Sequence, residues 1–179
     1  MLAIYLSMID NEENQDKFEA VYLQYSDIML NRAYNILGDF ELAEDAVHNA
    51  FLRILKNLHK IDEVDDVQTR SFVFIIVDNV AKSMYNKEHR QVVIEYRELE
   101  SKLNVQNIIE DRDAVRHILD KINSLPEIYR YVFFLKYFNN FSDKEIANAL
   151  DISVPTVRKR LLRGKKLLTK LLKQGEYNE

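Results

Sequence analysis

The chain has 179 residues, 47% of them hydrophobic, enough apolar material for one domain or two small ones. Three glycines and two prolines are too few for the turns of a sheet-rich fold, and the absence of cysteine excludes disulfides, thiolate zinc sites and a cysteine nucleophile. The net charge of −4 hides an asymmetry, because residues 1–120 carry 13 basic and 23 acidic groups and residues 121–173 carry 12 and 4. Such segregation points to one part facing nucleic acid and another facing a different partner, hence to at least two modules.

The opening MLAIYLSMID has no basic leading region, and its apolar run is too short for a signal peptide or a membrane span. A soluble cytoplasmic protein is expected. Met1 to Ser7 are apolar and uncapped, whereas the acidic run after Met8 reads as an ordinary solvated N-terminus. Residues 1–7 are therefore expected to be dispensable, with Met8 a candidate initiator.

Phe18, Val21, Tyr22, Tyr25, Met29, Ala33 and Ile36 recur at helical spacing, so a helix is predicted over Lys17 to Leu37 with Gly38 ending it. Asp39 can cap the next helix, whose buried stripe is Ala43, Val47, Ala50, Phe51, Ile54 and Leu58. Its other face holds Glu44, Asp45, His48, Asn49, Leu52, Arg53 and Lys56; Leu52 among polar groups marks a contact point. IDEVDDVQ, residues 61–68, reads as a loop. Thr69 to Arg90 begins with SFVFIIVDNV, strand-like in composition, but no second strand exists to pair with it and the pattern continues helically through Val80 and Met84. It is predicted as a buried helix whose far end turns polar at Asn79, Lys82, Ser83, Asn86, Lys87 and Arg90. Residues 91–111 are mixed, weakly capped and the best linker candidate. Helical spacing returns over Asp113 to Ile122, and Ser124-Leu125-Pro126-Glu127 restarts a helix running to about Phe138.

The last segment concentrates the positive charge. Arg158 to Lys173 contain eight Lys/Arg and no Asp/Glu, with Val157, Leu161, Leu168 and Leu172 as an apolar stripe. Before it, Ser142 stands three residues ahead of Glu145, flanked by Phe141 and Ile146, the signature of a capping box with a hydrophobic staple. A helix is predicted over Asp143 to Leu150, then a turn at Asp151-Ile152-Ser153, then a second helix over Val154 to Lys173 with Pro155 in its first turn. Ile146, Ala147, Leu150, Ile152 and Val157 would lock the pair. This is a helix-turn-helix pattern. A basic amphipathic helix solvated on its charged face is the plainer alternative, but it does not account for two caps and a three-residue turn arriving together. Thr156, Arg158 and Lys159, near the start of the second helix, are placed for base edges; Arg163, Lys165 and Lys166 suit phosphates.

The four histidines are scattered and neither HExxH nor a Gly-rich phosphate loop occurs, so no enzyme activity, cofactor, metal or small-molecule substrate is expected. Two readings compete on these residues: a helix-turn-helix repressor or activator binding duplex DNA as a dimer, and a purely protein-binding bundle.

Two blocks also resemble a known family. Tyr34 to Asp39 (YNILGD) with Ala43 to Leu52 (AEDAVHNAFL) resemble the second region of bacterial RNA polymerase sigma factors of the extracytoplasmic-function type. Leu125 to Arg130 (LPEIYR), Phe141 to Ala147 (FSDKEIA) and Ser153 to Arg158 (SVPTVR) resemble the fourth. The resemblance implies an all-α protein of two small helical domains, residues 17–90 and 112–173, joined by a flexible linker over 91–111. It implies that Asp45, His48, Asn49, Leu52 and Arg53 meet core RNA polymerase. Phe72, Asn79, Lys82, Ser83, Lys87 and Arg90 would open the minus-ten promoter element and hold its non-template strand, with the loop from Lys60 to Gln68 receiving an unpaired base. Ser153 and Pro155, with Thr156, Arg158, Lys159, Arg163, Lys165 and Lys166, would serve the minus-thirty-five element. An anti-sigma protein, often membrane-tethered in such systems, is the implied regulator. The chain departs from the family pattern at several of these positions. His48 stands for Gln, Phe72 for Trp, and Ser83 and Asn86 for an acid and a base. Asp151 and Pro155 stand for glycines, and Gly164 for Ala; a mid-helix Gly costs about 1 kcal/mol relative to Ala, so packing is expected to stabilise that half of the helix.

Overall fold

The computed structural model describes residues 1–88 and 120–175, and the chain divides into two compact units, Met1–Tyr96 and Arg97–Glu179. Among the described residues every regular element is helical. Arg90, the linker candidate 91–111 and most of the helix expected over Asp113 to Ile122 lie outside the described residues.

The first unit contains α1 (Leu2–Leu6), α2 (Glu12–Leu37), α3 (Phe40–Lys56), a 3-10 turn (Leu58–Lys60) and α4 (Val67–Glu88). Helix α2 starts five residues earlier than its apolar periodicity predicts, because the Asn11 side chain accepts the Glu13 N–H at 2.8 Å and Glu12 and Glu13 complement the helix N-terminus. It ends at Gly38, whose φ of 70° is left-handed and whose N–H meets the Tyr34 carbonyl at 2.8 Å. Asp39 then caps α3 by accepting the Leu42 N–H. Helices α2, α3 and α4 pack on one another around Phe18, Val21, Tyr25, Met29 and Ala33 of α2 and Ala43, Ala50, Phe51 and Ile54 of α3. Val47 is only half-buried; Ala46 is the buried residue in that part of the stripe, completing with Ala43 and Ala50 a row of small side chains.

SFVFIIVDNV is helical, as expected, but burial extends further round α4 than an amphipathic stripe: from Ser71 to Ala81 only Phe74 and Asn79 are not buried. Buried Asp78 therefore needs a partner. Arg32 of α2 supplies it in a forked geometry, Nε to Oδ1 at 2.9 Å and Nη2 to Oδ2 at 2.5 Å, while its guanidinium lies 4.5 Å from the centre of the Phe74 ring.

The second unit runs from a helical turn ending near residue 123 into α5 (Glu127–Phe133), which widens into a π-type turn over Phe134–Phe138. There the Asn139 N–H reaches the Phe134 carbonyl at 2.9 Å, and Asn140 (φ 59°) turns the chain. Helices α6 (Asp143–Leu150) and α7 (Val154–Gly175) follow. The predicted capping box is present: Ser142 N–H donates to Glu145 Oε2 at 2.7 Å and Glu145 N–H to Ser142 Oγ at 3.3 Å. Asp151 adopts φ 55°, ψ 50°, the left-handed conformation the turn requires. Ile146, Ala147, Leu150 and Val157 are buried and Ile152 half-buried, so the expected lock between the two helices forms.

Gly164 has a packing reason. A Cβ there would lie 2.6 Å from Phe133 Cε2 and 3.2 Å from Tyr129 Cβ, so the glycine lets α7 cross α5 in direct contact.

Candidate nucleic-acid interface

The exposed surface of α7 is basic. Arg158, Lys159, Arg163, Lys165 and Lys166 are all exposed, as is Pro155 in the first turn. At 100° per residue, Lys159, Arg163, Lys166 and Lys170 share one face, and Arg158 and Lys165 lie together roughly 120° further round the helix. Ser153 and Thr156 are occupied with each other: the Thr156 N–H donates to Ser153 Oγ at 3.3 Å and their hydroxyl oxygens are 2.8 Å apart. Their first task is to cap the helix. Burial beside α5 pulls the Arg160 guanidinium below its ordinary value, and Arg160 stands apart from the exposed set.

Arg158 is not loose on this surface. Its Nε donates to Asp143 Oδ2 at 3.3 Å, and Asp143 Oδ1 accepts from Lys136 Nζ at 2.8 Å. Those two cations, Lys136 foremost, hold the Asp143 carboxyl below the usual carboxylate range. Sequence reasoning passed over this residue because an acid in the first turn of α6 is accounted for by the helix end alone.

On α3 the expected contact face is only partly open. Asp45 and Asn49 are exposed; His48, Leu52 and Arg53 are half-buried. The Tyr5 hydroxyl and His48 Nδ1 share a 2.7 Å hydrogen bond, with the two rings 5.5 Å apart. Arg53 Nη1 donates to Asn79 Oδ1 of α4 at 3.2 Å, joining a residue expected to meet polymerase to one expected to meet DNA. Tyr5 also corrects the reading of the N-terminus. Its side chain is 1% exposed and packs against Phe18 and Phe51 with centroids at 5.4 and 5.7 Å, so α1 is part of the core. Burial pushes its hydroxyl up to about 12, which keeps it a neutral donor and acceptor.

A second correction falls on Phe72. At 1% exposed its ring fills the core of the first unit and offers no face to a base. Lys82 is half-buried and Ser83 and Lys87 are exposed; with Asn79 they recur at helical spacing along the polar end of α4. The preceding loop is shorter than expected, since Asp66 accepts the Thr69 N–H at 2.5 Å and starts the helix at Val67. It is tied down by its own backbone: the carbonyls of Ile61, Glu63 and Val64 accept from Lys17 Nζ, Thr69 Oγ1 and the Tyr25 hydroxyl. Gln24 adds a hydrogen bond to Asp65.

Among the described residues no cluster of His, Cys, Asp and Glu could hold a metal ion, and no helix is long and apolar enough to cross a membrane.

Residues 21–91 match the Sigma-70 region 2 family model and residues 116–168 match Sigma-70, region 4. The chain is 30% identical over 171 residues to the ECF RNA polymerase sigma factor SigW of Bacillus subtilis (strain 168), covering 89% of this chain and 91% of that protein. It is 22% identical over 163 residues to the ECF RNA polymerase sigma factor SigM of the same organism, covering 90% and 98%. The solved structure of CnrH in complex with the cytosolic domain of CnrY aligns over 97% of this chain and 95% of that one, with 20% identity and a TM-score of 0.39. Both sigma regions in one chain, in this order, set aside the plain helix-turn-helix repressor. The chain belongs to the extracytoplasmic-function sigma factors, and is an alternative sigma factor that binds core RNA polymerase and directs transcription initiation at specific promoters.

Proposed function

We propose a division of labour among three helix surfaces. The open part of α3, Asp45 and Asn49 with the half-buried Leu52 beside them, docks on core polymerase. The polar end of α4, with Lys82, Ser83, Lys87 and the further residue Arg90, holds the non-template strand of the minus-ten element. Helix α7 reads the minus-thirty-five element, Arg158 and Lys159 reaching base edges in the groove while Arg163, Lys165 and Lys166 neutralise phosphates. Residues 17–90 and 112–173 act as separate modules on the linker 91–111, and an anti-sigma protein controls access to them.

One observation carries this: the α6–α7 pair, each helix with its own N-cap, presents seven exposed cations on α7 from an otherwise acidic chain. Transcription by purified core polymerase with this protein, on a promoter library from the source organism, tests it. Promoter-specific transcripts that fade when either element is scrambled are expected. Transcripts indifferent to the upstream element would remove α7 from the reading role.

A further inference from the structure

We propose that Asp143 is a positioning residue for DNA reading: it holds the Arg158 guanidinium in place at the start of α7, and Lys136 holds the carboxylate that does so. The inference rests on the reading of Arg158 as a base-contacting residue.

Three elements converge on one carboxylate. Lys136 comes from the π-type turn after α5, Asp143 from the first turn of α6, and Arg158 from the second turn of α7. Each carboxylate oxygen has its own cation, Lys136 at 2.8 Å on Oδ1 and Arg158 at 3.3 Å on Oδ2. An arginine that is 72% exposed would otherwise sample many rotamers, all but a few of them useless for meeting a base. The bond to Asp143 uses Nε. That leaves the terminal fork, Nη1 and Nη2, to match the paired acceptors O6 and N7 of a guanine. A lone carboxylate beside DNA would repel phosphates; Lys136 offsets it, so the triad stays net positive. Exposed ion pairs add little to stability, which is why the triad's effect is expected in base discrimination.

The test is selection from a promoter library with a randomised upstream element, using holoenzyme reconstituted from core polymerase and the full chain. Arg158→Ala should lose about 5- to 150-fold of its preference at one or two base pairs, the range for a single paired base contact. Asp143→Ala should lose about 3- to 10-fold at those same base pairs, as coupled neighbours do, and add little when combined with Arg158→Ala. Lys136→Ala should act in the same direction more weakly, and Asp143→Glu should recover part of the preference. Lys165→Ala supplies the contrast, weakening every sequence alike.

Unchanged preferences in Asp143→Ala beside changed ones in Arg158→Ala would overturn the positioning role and leave the base-contact reading standing. Unchanged preferences in Arg158→Ala would overturn that reading itself. Sharper preferences in Asp143→Ala would mean that the carboxylate withholds Arg158, which also overturns the proposal. Should thermal unfolding show that Asp143→Ala disrupts α6, Asp143→Asn and Lys136→Ala decide by the same base pairs.

Discussion

Helices α4 and α7 are each 22 residues long and both are proposed to touch DNA, yet they are built in opposite ways. Helix α4 is buried round most of its circumference from Ser71 to Ala81 and even encloses a carboxylate. Helix α7, among its residues of described burial, buries only Val157 and Gly164 and exposes every cation except the half-buried Arg160. The first is stabilised by the core, which delivers its polar end in a fixed place. The second is held by its Ser153 cap, a close helix crossing and a few apolar anchors, which leaves its surface for electrostatics. Substitutions in α4 should therefore be felt as lost stability, and those on α7 as lost binding.

The largest expected effect breaks the enclosed pair. Asp78→Ala leaves the Arg32 guanidinium facing a site built for a carboxylate and should cost about 3–5 kcal/mol in urea unfolding. Any exposed lysine of α7 changed to Ala should stay within about 0.5 kcal/mol of the parent in the same assay. Deleting residues 1–7 comes next, at about 3 kcal/mol, because it empties the site of a fully buried aromatic ring. A loss under about 0.5 kcal/mol, within the range of surface changes, would restore the view that the segment is dispensable.

Gly164→Ala sharpens the comparison from the α7 side. Helix propensity alone predicts a gain of about 1 kcal/mol, but the added methyl would meet the Phe133 ring at 2.6 Å. A net loss of about 1–2 kcal/mol, the cost of overpacking, is expected in thermal unfolding.

That glycine shows where sequence reading stops. The α6–α7 pair was legible because its determinants are local: Ser142 and Glu145 three residues apart, Asp151 in a left-handed turn, Ser153 as the next cap. Where partners are distant in sequence, nothing in the spacing announces them. Tyr5 finds His48 across 43 residues and Arg32 finds Asp78 across 46, so residues 1–7 read as dispensable and the Arg32–Asp78 pair went unread. Phe72 shows the related limit, since helical spacing places a ring on a face without saying whether that face is covered. The outer face of α3 was legible as a set, although burial closes half of it.

Two smaller effects separate the surfaces by charge. Asp143, whose carboxyl is held low by Lys136 and Arg158, stabilises the folded state above the ordinary carboxylate range and loses that contribution as pH falls through its depressed folded value. A carboxyl carbon titration by NMR should place its midpoint below that of a free aspartate and move it upward in Lys136→Ala. Smallest is Lys165→Ala, which should reduce the slope of log affinity against log salt by about one contact for every DNA sequence alike.

The division of labour between the two helices is tested most directly by photo-crosslinking in the holoenzyme–promoter complex, with the reactive group at position 83 in one preparation and at position 159 in another. Position 83 should mark the non-template strand of the minus-ten element only after the DNA opens, and position 159 the duplex of the minus-thirty-five element before and after opening. Crosslinks from both positions to the same element, or from position 159 to opened strand alone, would contradict it.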